Sequence, residues 1–138
     1  MAQVAIWNQG KLPIKDTDVL KPIVLFTADK SPILEATIRK VSREVTNLQL
    51  QTNEVQNGRV TVAWKILEQD DGGIIQLIYA GSPEVDIRPD GVIEGQKEIP
   101  RILYTNKIRS AEEQYKKWEH FPWYLFSLVI GLAVEVKI

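Results

Sequence analysis

Short runs of branched and aromatic residues, each closed within a few positions by a turn-forming cluster, dominate the first hundred residues. The turn signals are Asn8-Gln9-Gly10, Lys30-Ser31-Pro32, Asn57-Gly58, Asp70-Asp71-Gly72-Gly73, Gly81-Ser82-Pro83, Pro89-Asp90-Gly91 and Gly95. Runs this short leave little room for long helices and favour strands. Composition agrees. Val, Ile and Thr together supply 36 residues while Ala supplies eight. Branched side chains lose rotamer freedom in a helix and pack well on a pleated sheet.

Val4-Ala5-Ile6-Trp7 and Ile23-Val24-Leu25-Phe26 are continuous apolar runs. Leu34, Ala36 and Ile38 alternate with Glu35, Thr37 and Arg39, and Val60, Val62, Trp64 and Ile66 alternate with Thr61, Ala63, Lys65 and Leu67. Period-two alternation puts one set inward and the other outward. Ile74-Ile75-Gln76-Leu77-Ile78-Tyr79 follows across Asp70-Asp71-Gly72-Gly73, so these two runs are expected to form an antiparallel hairpin. Weaker strands are expected around Val85 and Ile87, Val92 and Glu94, and Ile102 and Tyr104. The pattern predicts an all-β fold: a single antiparallel β-sandwich of about seven to nine strands over residues 1–105. Trp64, Ile66, Leu34, Ile38, Ile75 and Leu77 are expected in its core.

After Tyr104 the character changes. Residues 106–120 are polar and free of Gly and Pro, with Ile108, Ala111, Tyr115 and Trp118 at helical spacing and Ser110 three positions before Glu113. This predicts a short amphipathic helix that serves as a linker. Residues 121–134 carry no charge, and 121–138 form an apolar tail. Two readings of the tail are open. In the first it is a membrane segment, with Trp118, Trp123 and Tyr124 at the interface and Lys116 and Lys117 on the cytoplasmic side. In the second it is a buried strand pair broken at Gly131, because Val134, Val136 and Ile138 alternate with Glu135 and Lys137. Residues 121–134 are short of the roughly 20 that span a bilayer comfortably.

Several function classes are excluded or disfavoured. No cysteine is present, so disulfides, thiolate metal sites and cysteine nucleophiles are absent. The single histidine, His120, excludes a multi-histidine metal site, and its neighbours suggest interfacial polarity. Lys+Arg 17 against Asp+Glu 18 gives no electrostatic case for nucleic acid. Residues 1–10 show no secretory pattern, and Gly91-Val92-Ile93-Glu94-Gly95 lacks the lysine of a phosphate-binding loop. Asp16 and Asp18 suit capping or turn bonds. Glu68, Asp70 and Asp71 form the densest acidic cluster, where paired carboxylates would serve glycoside hydrolysis or several oxygens would hold Ca²⁺. Their place between two alternating runs points instead to a solvated hairpin tip. No catalytic, cofactor-binding or metal-binding residue is assigned.

One set of motifs is familiar. Ala5-Ile6-Trp7-Asn8-Gln9-Gly10, the acidic pair at Asp16 and Asp18, Lys21-Pro22-Ile23 and Ile33-Leu34-Glu35-Ala36 belong to it. So do Trp64-Lys65-Ile66-Leu67-Glu68, the stretch from Asp71 to Gly81, and Gly91-Val92-Ile93-Glu94-Gly95. Together they resemble the β-rich domain of uncharacterised bacterial membrane-anchored proteins over residues 4–95. The resemblance implies a β-domain attached to transmembrane helices, with no assigned activity or ligand. This chain departs from that pattern in starting almost directly at the first strand, with no preceding helix, which implies a shorter relative or part of a longer chain.

Three functions follow as expectations. The first is a non-catalytic binding or sensing domain, membrane-associated through residues 121–138, with the β-domain cytoplasmic and an unidentified protein or small ligand as partner. The second is a soluble cytoplasmic structural or interaction module whose tail completes the sheet. The third is a carboxylate-dependent hydrolase.

Overall fold

The computed structural model describes residues 1–81, 85–96, 99, 101–105 and 132–137. They are mostly β-strand: β1 (Ala2–Trp7), β2 (Ile14–Lys15), β3 (Val19–Thr27), β4 (Ile33–Val41), β5 (Gln49–Gln51), β6 (Arg59–Ala63), β7 (Ile66–Leu67), β8 (Gly72–Tyr79), β9 (Ile87–Ile93), β10 (Arg101–Thr105) and β11 (Leu132–Lys137). One sheet has the order β10-β11-β1-β8-β4, a second the order β5-β6-β3-β9, and β2 and β7 form a two-stranded ribbon. Every pairing is antiparallel except β1 with β11. The helical turns among the described residues are single 3-10 turns at Asp16–Asp18, Glu44–Thr46 and Val55–Asn57. The predicted helix over 106–120 and the first part of the tail lie outside the described residues.

Both sheets contribute to one core. Val4, Ile6, Ile75 and Leu77 from the first sheet join Ile23, Leu25, Val60, Val62 and Ile87 from the second, with Leu67 from the ribbon and Trp64 between elements. On β3 Ile23 and Leu25 face this core, while Val24, also buried, and half-buried Phe26 lie on the other face. β1 is covered on both faces along its length. Ala5 and Trp7, across from Ile74 and Gly72, point away from the core and are buried as well. A strand covered on both faces needs an unbroken apolar run, which is what Val4-Ala5-Ile6-Trp7 provides.

The expected hairpin between the Val60 and Ile74 runs does not form. β6 pairs with β3 and β5, whereas β8 pairs with β1 and β4 in the other sheet. The run breaks at Trp64-Lys65, where the Lys65 N–H donates to the Thr46 carbonyl (2.7 Å) and its carbonyl accepts from Asp16 N–H (3.0 Å). The break shifts the phase of alternation, so Leu67 is fully buried and Ile66 only half-buried, the reverse of the expectation. Leu34 is a second correction. β4 bulges between Ile33 and Glu35, so Ile33 fills the core and Leu34 is 67% exposed. Ile38 packs against the core while half-buried. The Pro89-Asp90-Gly91 turn signal is not a turn either, since it continues β9 at the edge of the second sheet. Proline is tolerated there because an edge strand has one unpaired side.

Gly72 and Gly73 also have a different reason from the expected one. Asp70 (φ 66°), not either glycine, takes the left-handed conformation of the turn. The glycines open β8, where a Cβ on Gly72 would lie 2.0 Å from the Ile6 carbonyl oxygen and 2.6 Å from Trp7 Cα. Backbone cannot yield as a side-chain tip does. Gly72→Ala is therefore expected to cost about 3 kcal/mol, the upper end for overpacking. Urea denaturation measures it, and a loss under about 1 kcal/mol would show that β1 and β8 separate easily.

Candidate functional site

The acidic cluster lies in the turn from β7 to β8. Two backbone bonds tie this turn to the end of β1: Asp70 N–H donates to the Asn8 carbonyl (2.8 Å), and Asn8 N–H donates to the Asp71 carbonyl (2.9 Å). The buried Asn8 side chain extends the tie. Its Nδ2 donates to the Leu12 and Leu67 carbonyls, and its Oδ1 accepts from Gly10 N–H. A short polar residue can thus replace the strand ladder where the chain leaves β1.

Asp71 is 5% exposed and its carboxylate meets four donors. Oδ1 accepts from Ser42 Oγ (2.9 Å) and Arg43 Nε (3.0 Å), and Oδ2 accepts from Arg43 Nη2 (2.5 Å) and Glu68 N–H (3.0 Å). Arg43 also reaches Glu68 Oε2 at 2.8 Å. Ser42 completes the clamp by exchanging bonds with Gly72, its N–H donating to the Gly72 carbonyl and its Oγ accepting from Gly72 N–H. Burial pushes the Asp71 carboxyl up, but the bonds from Arg43, Ser42 and Glu68 outweigh it and hold it below the ordinary carboxylate range. The same contact with Asp71 raises the Arg43 guanidinium above its ordinary value.

This arrangement fits a structural clamp better than an acid–base pair. A general base needs a free lone pair, and a general acid needs a proton held near the working pH. Asp71 has its oxygens occupied and its proton affinity lowered. Glu68 and Asp70 are exposed, as expected for a hairpin tip, whereas Asp71 is not. Asp16 and Asp18 cap locally, their carboxylates accepting from the Thr17 and Lys15 N–H groups. Among the described residues no group of three acidic or histidine side chains is placed to hold a metal ion. Lys116, Lys117, Trp118, His120, Trp123 and Tyr124 lie outside the described residues. Among the described residues no helix is long and apolar enough to cross a membrane.

A concave site that sequence reasoning missed lies at the other end of the second sheet. A cavity of about 490 Å³ opens between the end of β3, the turn after it, and the Val55–Asn57 turn leading into β6. Phe26 forms its apolar wall, and Lys30, Arg59, Gln56 and Asn57 supply polar groups. The register puts Arg59 and Arg88 on either side of Phe26 on the outer face of the sheet. The Arg59 guanidinium lies 6.0 Å from the centre of the Phe26 ring. Gly58 (φ 74°) lets the two turns close, since a Cβ there would lie 2.2 Å from Thr27 Oγ1. Only the continuous apolar run around Phe26 hinted at this site, and a continuous run does not say which residue points outward. Comparison with known proteins finds no matching family model, no similar curated protein and no similar solved structure.

Proposed function

We propose that the chain is a non-catalytic binding or sensing domain, a two-layer β-sandwich, in a membrane-associated protein. The observation that supports membrane association is the charge-free stretch 121–131 beside Trp118, Trp123 and Tyr124, whereas the pairing of Thr105 with Leu132 takes residues 132–137 of the expected 121–138 membrane segment into the sheet. The chain leaves and re-enters the sheet at adjacent positions, and the sequence between them includes the charge-free residues 121–131, Trp118, Trp123 and Tyr124. Crossing a bilayer and returning takes about 40 helical residues, more than residues 106–131 provide. Membrane association is therefore read as interfacial rather than spanning. Lys107, Arg109, Lys116 and Lys117 favour the anionic cytoplasmic leaflet and hence a cytoplasmic β-domain. Asp71, committed to Arg43 and Ser42, and Glu68, bonded to Arg43, weigh against the hydrolase alternative.

β11 itself favours a second reading, a structural or interaction module whose C-terminal strand completes the sheet between β10 and β1. Vesicle flotation separates the two. The full chain is expected to float with vesicles containing anionic lipid. Replacing Trp118 and Trp123 by Ser is expected to reduce flotation about tenfold with the unfolding curve unchanged. A full chain that is monodisperse in water and never floats would overturn membrane association and leave the second reading.

A further inference from the structure

The lining of the cavity beside Phe26 is unbalanced in charge. Its lining holds two cations, Lys30 and Arg59, and no acidic residue. Asp29, the nearest acid in sequence, accepts from Ser31 N–H at 2.9 Å. Arg59 uses its Nε on Glu54 Oε2 (3.2 Å), an exposed pair that competes weakly for the guanidinium. Lys30 makes no ion pair among the described residues. The amide side chains of Gln56 and Asn57 add further polar groups at the same wall.

The scaffold is also set in advance. Thr27 N–H donates to the Gly58 carbonyl (2.9 Å), Thr27 Oγ1 to the Ser31 carbonyl (2.9 Å), and Ala28 N–H to the Asp86 carbonyl (2.8 Å). These bonds hold the backbone of the turn after β3 against Gly58 and against Asp86, just before β9, so the cradle that carries the side-chain donors is formed before a ligand arrives. Ala28, Lys30, Gln56 and Asn57 are exposed, so the site is an open groove that would hold one face of a small ligand.

We infer that this cavity binds a small molecule that joins an anionic group, carboxylate or phosphate, to a flat apolar body. The anion lies between Lys30 and the Arg59 fork, which is suited to two-oxygen acceptors, and the flat body lies against Phe26. The inference deepens the reading of the domain as a binding module and does not depend on membrane attachment.

Titration of the full chain with phenyl phosphate, benzoate, inorganic phosphate and phenol, followed by backbone amide NMR, tests it. Saturable shifts confined to residues 26–30 and 56–59 are expected with phenyl phosphate or benzoate, and whichever binds tighter identifies the anion. Inorganic phosphate and phenol are each expected to bind at least five-fold more weakly than the better of these. Lys30→Gly removes the cation and accepts the left-handed backbone at this position (φ 62°), so the fold is retained. Lys30→Gly and Arg59→Gln are each expected to weaken binding at least five-fold, with unchanged unfolding curves. Shifts that never saturate, that spread over all surface cations, or that persist in Lys30→Gly would overturn the inference. Flotation on the same preparation keeps the two proposals apart, because absent probe binding with retained flotation removes only this one.

Discussion

Trp64→Ala is expected to lower stability by about 3–5 kcal/mol, the range for deleting a buried aromatic ring. The indole is 4% exposed and belongs to the core that both sheets share. It lies where β6 ends and the chain passes to the β2–β7 ribbon, so its loss opens a void at a junction of three elements. Its Nε1 also donates to the Ile14 carbonyl at 3.1 Å, which holds the ribbon against the second sheet. Trp64→Phe separates the two contributions. It keeps most of the apolar volume and removes the bond to the Ile14 carbonyl, so about 1 kcal/mol of the loss should persist. Urea denaturation of the three proteins measures both steps. A loss below about 1 kcal/mol for Trp64→Ala would show that the ring is not part of the core.

Trp64, directly after β6, and Ile75 and Leu77 in β8 were legible as core because the alternation leading to each is unbroken. Leu34 and Ile66 were not, for one shared reason. A single irregular residue reverses every side chain beyond it, and neither the bulge after Ile33 nor the break at Lys65 has a glycine or proline to mark it. Strand partners were less legible still. The turn at Asp70 reads locally as a hairpin, yet the strands that flank it, β7 and β8, belong to the ribbon and the first sheet respectively. The choice is made by distant residues: Gly72 accepts the close approach of β1, Gly73 that of β4 and Leu48, and Val4 and Ala2 meet Ile75 and Leu77. The acidic cluster was expected to be a solvated hairpin tip, but Asp71 is buried against Arg43, which precedes it by a long stretch of chain, and no local spacing announces that pair. The Phe26 cavity was hardly legible for the same reason, since its walls come from separate turns brought together by the register of β3 and β6 and by the Thr27–Gly58 bond.

Asp71→Asn removes a charge while keeping the shape, and it is expected to cost about 2–3 kcal/mol near neutral pH. Four donors converge on the two carboxylate oxygens, from Ser42, twice from Arg43, and from Glu68 N–H. An amide offers one oxygen in place of two, and its NH₂ group must then face donors. Half-exposure of Arg43 moderates the penalty, because water can take up part of its freed valence. The pH dependence follows from the direction of the shift. The Asp71 carboxyl is held below its ordinary value in the folded state, so the unfolded chain takes up the proton first as the solution is acidified. The stabilisation is full above the unfolded carboxylate value, near 3.9, and declines as pH falls through the folded one. The gap between the natural protein and Asp71→Asn should accordingly be constant from about pH 7 to 5 and narrow steadily below about pH 4. Urea denaturation at intervals down to the acid limit of the fold tests this. A gap that stays the same at every pH would mean that the clamp works through shape and neutral hydrogen bonds, with the charge on Asp71 contributing nothing.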